Sequence, residues 1–325
     1  MEFSQNLHTL RRSLGLATGI IRSKLDASPT RQPLPDSRLV GFEGFGDNPG
    51  KLRMLAHLPA AVSGRPLVVL LHGCGQDAAR FAEDTGWIAL ADRLRFPLIL
   101  PQQAEANHAS RCFQWFHPSD TARDQGEAGS IAAMTRAAIS RFDSDPRRVF
   151  IVGLSAGGAM TAALLAAYPD LFAAGACVAG LPVGAARSGI QALLRMASAG
   201  MDQPADDWAA HVRHTAPAGF AGPWPRLSIW QGGADTTVAP QNAWLLAEQW
   251  RALHRLPSAA AAEKVSGNVN HRVWAFGRQR VLEVWSLENL PHAYPIGDRT
   301  APPGRFVDRA EIDATAAIAG FFGLD

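Results

Sequence analysis

A serine between two glycines, at the junction of a strand-forming run and a helix-forming run, constrains this chain more than any other feature. Val149-Phe150-Ile151-Val152 is a short, continuous apolar run, as expected of a strand buried on both faces. Gly153-Leu154-Ser155-Ala156-Gly157 follows as G-x-S-x-G, and Ala159 to Leu165 is strongly helix-forming. A sharp strand-to-helix turn crowds its neighbours, and Gly153, Gly157 and Gly158 meet that steric demand. The helix start also points backbone N–H groups at a place where negative charge can develop. The competing reading, a glycine-rich turn with an N-capping serine, explains the residue types but not their order.

The rest of the chain supports such a junction. From residue 38 onward strand-like and helix-like segments alternate. Strands are expected over Leu39–Phe45, Leu52–Leu58, Leu67–Leu71, Leu98–Leu100, Val149–Val152, Gly175–Val178, Leu227–Trp230, Arg272–Phe276 and Val281–Leu287. Helices are expected near 83–94, 126–142, 156–168, 185–199, 241–254 and 310–322. Two antiparallel strands leading into βαβ crossovers predict an α/β fold, a doubly wound and mostly parallel sheet with helices on both faces. The proline-bearing stretch 200–225 is expected to be a loop or small cap. A chain of 325 residues with 47% apolar and 18% charged content fits one large domain.

A serine hydroxyl becomes a nucleophile when a neutral imidazole takes its proton, and a buried carboxylate holds the imidazole. In a fold with this junction the order along the chain is Ser, then Asp or Glu, then His. Leu227 to Gln231 runs as a strand into Gly232-Gly233-Ala234-Asp235, which makes Asp235 the carboxylate. Asp202, Asp206 and Asp207 follow no strand and read as surface charges. Among the later histidines, His254 lies in a helix and His271 begins a strand. His292 sits in a proline-bounded loop, Leu290-Pro291-His292-Ala293-Tyr294-Pro295, and is the expected base, with His271 next in line.

The run Leu67–Leu71 ends in His72-Gly73-Cys74-Gly75-Gln76. An H-G step after the third strand supplies an oxyanion donor that pairs with the amide after the serine. The donors are expected to be the amides of Cys74 and Ala156. His72 reads as a structural residue; it has no partner at metal-binding spacing, so no metal and no cofactor is expected.

Together these motifs resemble the polyhydroxybutyrate depolymerase family of esterases, with its feruloyl and acetyl-xylan esterase relatives, within the α/β-hydrolase superfamily. The likeness runs from about residue 40 to the C-terminus. It rests on Leu71 to Gln76, Cys112-Phe113-Gln114-Trp115-Phe116, Gly153 to Gly157, Gly180-Leu181-Pro182-Val183-Gly184, Gly233 to Val238 and Pro291 to Pro295. The resemblance implies a carboxylic ester hydrolase working through an acyl-serine intermediate, with Ser155, Asp235 and His292 as triad. Short-chain or hydroxyalkanoate esters are the expected substrates. Feruloyl or acetyl-xylan esterase action is the first alternative, and a peptidase or acyltransferase with the same triad is the second. The sequence departs from the family at Tyr294, where tryptophan is usual, and at Phe113-Gln114, where a tryptophan–asparagine pair is usual. Trp115, Phe116 and Tyr294 are expected to wall the substrate pocket, and the ratio of 9 tryptophans to 2 tyrosines puts other indoles forward for the same use. Secreted members carry a linker and a polymer-binding domain after the catalytic part; with none read after Leu324-Asp325, efficient attack on crystalline polymer is not expected.

Cys74 and Cys112 are the expected disulfide pair, since an oxyanion amide must be held rigidly. Three reduced thiols in a cytoplasmic protein are the alternative; Cys177 is expected free on a buried strand.

A net charge of +2 with scattered basic residues leaves no footprint for nucleic acid, and no apolar run is long enough for a transmembrane segment. Residues 1–37 are expected to form an amphipathic helix and linker. Leu7, Leu10, Leu14, Ala17 and Ile21 recur at helical spacing, and 26–37 is rich in proline and small polar residues. That helix is expected to pack on its own domain, with a polymer or granule surface meeting residues 7–25 as the sharper reading. Arg11-Arg12 and the short apolar stretch after it lack the cleavage site of an export signal, which favours the cytoplasm over secretion. The expected partner is a small or oligomeric ester.

Overall fold

Why a serine at the end of one strand should meet a histidine 137 positions later becomes clear from the sheet. In a computed structural model, residues 38–200, 203–298 and 303–324 are described. The expected N-terminal helix and linker, and Asp202, lie outside them. Ten strands form one sheet in the order β1 (Leu39–Gly41), β2 (Arg53–His57), β4 (Leu98–Gln102), β3 (Leu67–Leu71), β5 (Val149–Leu154), β6 (Ala174–Val178), β7 (Arg226–Gly232), β10 (Gln279–Leu287), β9 (Val269–Phe276) and β8 (Ala262–Ser266). From β4 through β10 neighbouring strands are parallel, while β1, β2, β9 and β8 pair antiparallel at the edges. Two short strands, β11 (Tyr294–Ile296) and β12 (Val307–Arg309), pair apart from it.

Side chains alternate across the central strands into two cores. Leu67, Val69 and Leu71 of β3 enter one core with Val149 and Ile151 of β5. Helices α4 (Gly126–Phe142), α5 (Ala156–Ala167), α7 (Ala205–Thr215) and α8 (Gln241–Leu253) cover that face. Val68, Leu70, Phe150 and Val152 enter the other, under α1 (Ala78–Asp84), α2 (Trp87–Leu94) and α9 (Ala314–Phe322). This is the α/β-hydrolase arrangement. Helix α5 is buried on every side, and its alanines and glycines let it lie close against the strands.

Three expectations change in the structure. The helix expected over 83–94 is two, because Gly86 at φ 80° breaks the run between α1 and α2. The stretch 200–225 contains the eleven-residue helix α7, capped on its core side by Trp208, Ala209 and Val212. Proline density there marks the ends of that helix, not the lack of one. Three strands were missed: β8 is exposed along its whole length and carries no apolar alternation, while β11, within the stretch read as a loop, and β12 span three residues each. The remaining helices are α3 (Pro118–Thr121) and α6 (Gly189–Ala197). No helix among the described residues is long and apolar enough to cross a membrane.

Candidate active site

Parallel strands place the loops at their C-terminal ends side by side, and those of β3, β5, β7 and β10 carry the expected residues. Ser155 follows β5 at φ 58° and ψ −118°, and its N–H donates to Val178 O at 2.8 Å. Such a backbone is strained for a residue with a side chain, and only close neighbours hold it. A Cβ on Gly157 would lie 2.3 Å from Leu71 O, and one on Gly153 would lie 2.2 Å from Gly157 O. The glycines therefore let the turn press against β3.

The same device closes the other side. A Cβ on Gly232 would lie 2.2 Å from Leu290 O, and one on Gly233 would lie 2.6 Å from Glu288 O. The loop after β10 thus packs directly on the turn after β7, where Ala234 N–H donates to Leu290 O at 3.1 Å. That contact brings His292 to Asp235. His292 Nδ1 is 2.7 Å from Asp235 Oδ2, and its Nε2 is 2.9 Å from Ser155 Oγ. Asp235 Oδ1 accepts from the amides of Thr237 and Val238, both at 2.8 Å, and Oδ2 also accepts from Gln231 Nε2 at 3.1 Å. Burial by itself would raise the Asp235 carboxyl. The bond to His292, its charge and the two amides together outweigh burial and hold the group below the usual carboxylate range.

The loop after β3 leaves one amide unspent. Gly73 N–H donates to Gln76 Oε1, Gly75 N–H to Ser110 O and Gln76 N–H to Gly73 O. The Cys74 N–H donates to no acceptor among the described residues. Ala156 opens α5, and the first amides of a helix have no carbonyl partner within it. Cys74 is joined to Cys112 by a disulfide with Cα atoms 4.2 Å apart, and Cys177 is free and buried.

Sequence reasoning on the other histidines agrees with their surroundings. His72 is wholly buried and pushed down to about 4 by desolvation; its Nδ1 donates to Gly73 O while Nε2 accepts from Gln103 N–H. His254 follows α8 and contacts Pro225 O. His271 lies within β9, stacks on Trp285 and meets the buried Glu283 at 3.2 Å.

Tyr294 does not wall a pocket. It is fully buried; its ring meets Phe81 edge-on, and its hydroxyl bonds Trp87 Nε1 and Thr315 Oγ1. It directly follows the buried Ala293 and belongs to β11, whose side chains enter the core under α1 and α9. Trp87, Trp208, Trp230, Trp250 and Trp274 are likewise core residues, so most of the nine indoles fill the interior. Trp115 does line a cavity of about 260 Å³, together with Thr121, Ala159, Pro182, Val183 and His211. Ala159 comes one helical turn after Ser155, so this cavity lies along the helix that the serine begins; Ser155 and His292 are not in its lining. Phe116 is half-buried and meets Trp115 edge-on, 5.5 Å between centroids.

Four residues escaped sequence reasoning. Phe306 meets the His292 ring at 5.8 Å. Gln76 Nε2 donates to Arg305 O at 2.6 Å and so ties the loop after β3 to the segment before β12; its place in the His72–Gln76 motif was the available signal. Gln103 and Glu127 join the segment around Cys112 to α4. Glu127 sits in the first turn of α4, and nothing in local pattern marks an acid there as buried. Among the described residues no group of three or more His, Cys, Asp or Glu side chains could hold a metal ion.

Comparison with known proteins bears on the family and the fold. A poly(3-hydroxyalkanoate) depolymerase C of Paucimonas lemoignei is 35% identical over 97% of this chain and 75% of its own length. A feruloyl esterase B of Thermothelomyces thermophilus is 31% identical over 72% of this chain and 84% of its own. An acetyl xylan esterase from Aspergillus awamori superposes with a TM-score of 0.76 at 24% identity, covering 88% of this chain and 99% of that one, which shows the shared fold. The family model described as "Esterase PHB depolymerase" matches residues 53–273. With that match spanning both the serine turn and the turn at Asp235, the chain belongs to the Esterase PHB depolymerase family and is a carboxylic ester hydrolase.

Proposed function

We propose that this esterase cleaves short-chain or hydroxyalkanoate esters, with Ser155, His292 and Asp235 as its triad and the Cys74 and Ala156 amides as its oxyanion hole. The hydrogen-bonded line from Asp235 through His292 to Ser155 Oγ carries the reading. His292 Nε2 takes the hydroxyl proton as Oγ attacks the ester carbonyl. Asp235 fixes the imidazole with Nδ1 protonated and stabilises the imidazolium that forms. The carbonyl oxygen becomes an oxyanion between two amides that need no reorganisation. His292 then protonates the leaving alkoxide, and the acyl-serine is released by water activated at the same nitrogen.

The short-acyl reading takes the cavity along α5 as the acyl site, next to the serine turn although Ser155 and His292 are outside its lining. The cavity along α5 is about 260 Å³ and walled by Trp115 and Val183. Each methylene kept out of such walls forgoes about 0.8 kcal/mol of burial, so longer tails gain nothing and clash. The similarity to a depolymerase of poly(3-hydroxyalkanoate) supports hydroxyacid esters as the natural class.

The test is a p-nitrophenyl ester series from acetate to palmitate, with hydroxybutyrate trimer and methyl ferulate, on wild type and Ser155→Ala. We expect kcat/KM to peak at two to four carbons and the trimer to be cleaved, with Ser155→Ala lower by several orders of magnitude. A maximum at eight carbons or beyond refutes the short-acyl reading. A marked preference for methyl ferulate moves the substrate to the feruloyl class, and normal turnover by Ser155→Ala removes the nucleophile.

A further inference from the structure

A carboxylate buried at the start of α4 links to the oxyanion loop by a continuous path. Glu127 is 1% exposed. Its Oε1 accepts from Gln103 Nε2 at 2.5 Å, and its Oε2 accepts from the backbone N–H of Gln114 at 2.7 Å. The same Gln103 Nε2 donates to Cys112 O at 3.1 Å, and the Gln103 backbone N–H donates to His72 Nε2 at 3.2 Å. Cys112 is covalently bound to Cys74. Glu127 thus grips the Cys112 segment on both sides, through Gln103 before it and Gln114 after it. That segment is the only covalent anchor of Cys74 besides its own chain.

A carboxyl group is an expensive choice for a site needed merely to be filled. Burying it costs more than an apolar residue of similar volume would, and its return is geometric definition. The definition falls on a loop where it matters, because an oxyanion donor misplaced by about 1 Å forfeits about a hundredfold in rate. Gln76 holds the loop from its other end through Arg305 O. On the Cys112 side the disulfide and the Gly75 N–H bond to Ser110 O tie it to the segment that Glu127 grips through Gln103 and Gln114.

We propose that Glu127 is a positioning residue for the Cys74 amide, acting through Gln103, Gln114 and the Cys74–Cys112 disulfide. This rests on the reading of the Cys74 amide as an oxyanion donor. Glu127 touches no reacting atom. Its loss weakens an interaction made in the transition state and leaves ground-state binding alone.

The experiment compares wild type, Glu127→Gln, Glu127→Ala and the disulfide-free pair Cys74→Ser/Cys112→Ser, with the Glu127 changes also placed in that pair. Melting curves confirm that each variant is folded at the assay temperature; if Glu127→Ala is not, Glu127→Gln decides. With p-nitrophenyl butyrate we expect kcat to fall about 10- to 100-fold in Glu127→Ala while KM stays within about twofold. Glu127→Gln keeps one acceptor and should fall between. The Ki of an aliphatic trifluoromethyl ketone, which forms a tetrahedral adduct on serine, should rise by the factor that kcat/KM loses. In the disulfide-free background the Glu127 change should cost less than in wild type, since the covalent part of the route is already cut and only the His72 and Gly75–Ser110 hydrogen bonds remain. Normal kcat in folded variants, an unchanged Ki, or fully multiplicative losses would each overturn the proposal. If the ketone fails to inhibit wild type, or Ser155→Ala retains turnover, the triad reading itself falls, whatever Glu127 does.

Discussion

Two buried carboxylates in this protein respond oppositely to their surroundings. Asp235 has four donors around it and is held below the ordinary carboxylate range, so it stays ionised as the pH falls. The stability it contributes is present above the unfolded value and is lost as pH drops through the lowered one. On the proposed triad, Asp235→Asn removes the charge that would support the imidazolium and presents an amide to His292. We expect kcat to fall by about 10⁴ with a modest drop in melting temperature at neutral pH, where the ionised carboxylate stabilises the fold, against a change of less than about tenfold for His271→Ala. Glu127 lies on the other side. Burial outweighs its donors and raises it from 4.5 to about 8. Between those values the folded protein keeps a proton that the unfolded chain has released, so stability falls as pH rises through the window and levels above it. Urea unfolding from pH 4.5 to 9 should show that decline in wild type and a flatter curve in Glu127→Gln, which has no proton to lose. Equal slopes would place the Glu127 titration elsewhere.

At the scale of elements, the site is made by close approach. β5 and α5 meet in a turn that presses on the end of β3, and the loop after β10 presses on the turn after β7. Neither approach tolerates a side chain at its contact glycine, because the atoms in the way are backbone carbonyls that cannot swing aside. Gly157→Ala puts a methyl against Leu71 O and His72 O, so β3 and α5 must separate. We expect a loss of about 3 kcal/mol or more in urea unfolding, and a drop in kcat larger than the stability change explains. Gly64→Ala is the control, since nothing lies within 4 Å of a Cβ there, though its φ of 68° carries some backbone strain.

For the whole molecule, one covalent link ties segments that the sheet alone leaves to their own loops. The Cys74–Cys112 bond spans 38 residues, from the loop after β3 to the segment beyond β4. Closing a loop of that length in the unfolded chain is worth about 2–4 kcal/mol. Denatured, unreduced protein should therefore show one free thiol, Cys177, and reduction should lower the unfolding midpoint by that amount. Three free thiols in active protein would show that the loop after β3 needs no such tie.

The sequence by itself determined the strand-to-helix turn at Ser155, the parallel strands around it and the residues that meet there. These are local matters: apolar runs of strand length, glycines where a turn needs them, and the order Ser, Asp, His along the chain. The pocket was not legible in the same way. Tyr294 and the tryptophans carry the same apolar bulk whether they fill a core or wall a cavity, and only the path of β11 under α1 and α9 decided that Tyr294 turns inward. Glu127 was hidden for the reverse reason. An acid in the first turn of a helix reads as a solvated charge, and its burial follows from the segments that pack over α4 from elsewhere in the chain. Which side chains are covered is a sum over distant contacts, and that sum exists only once the sheet has brought them together.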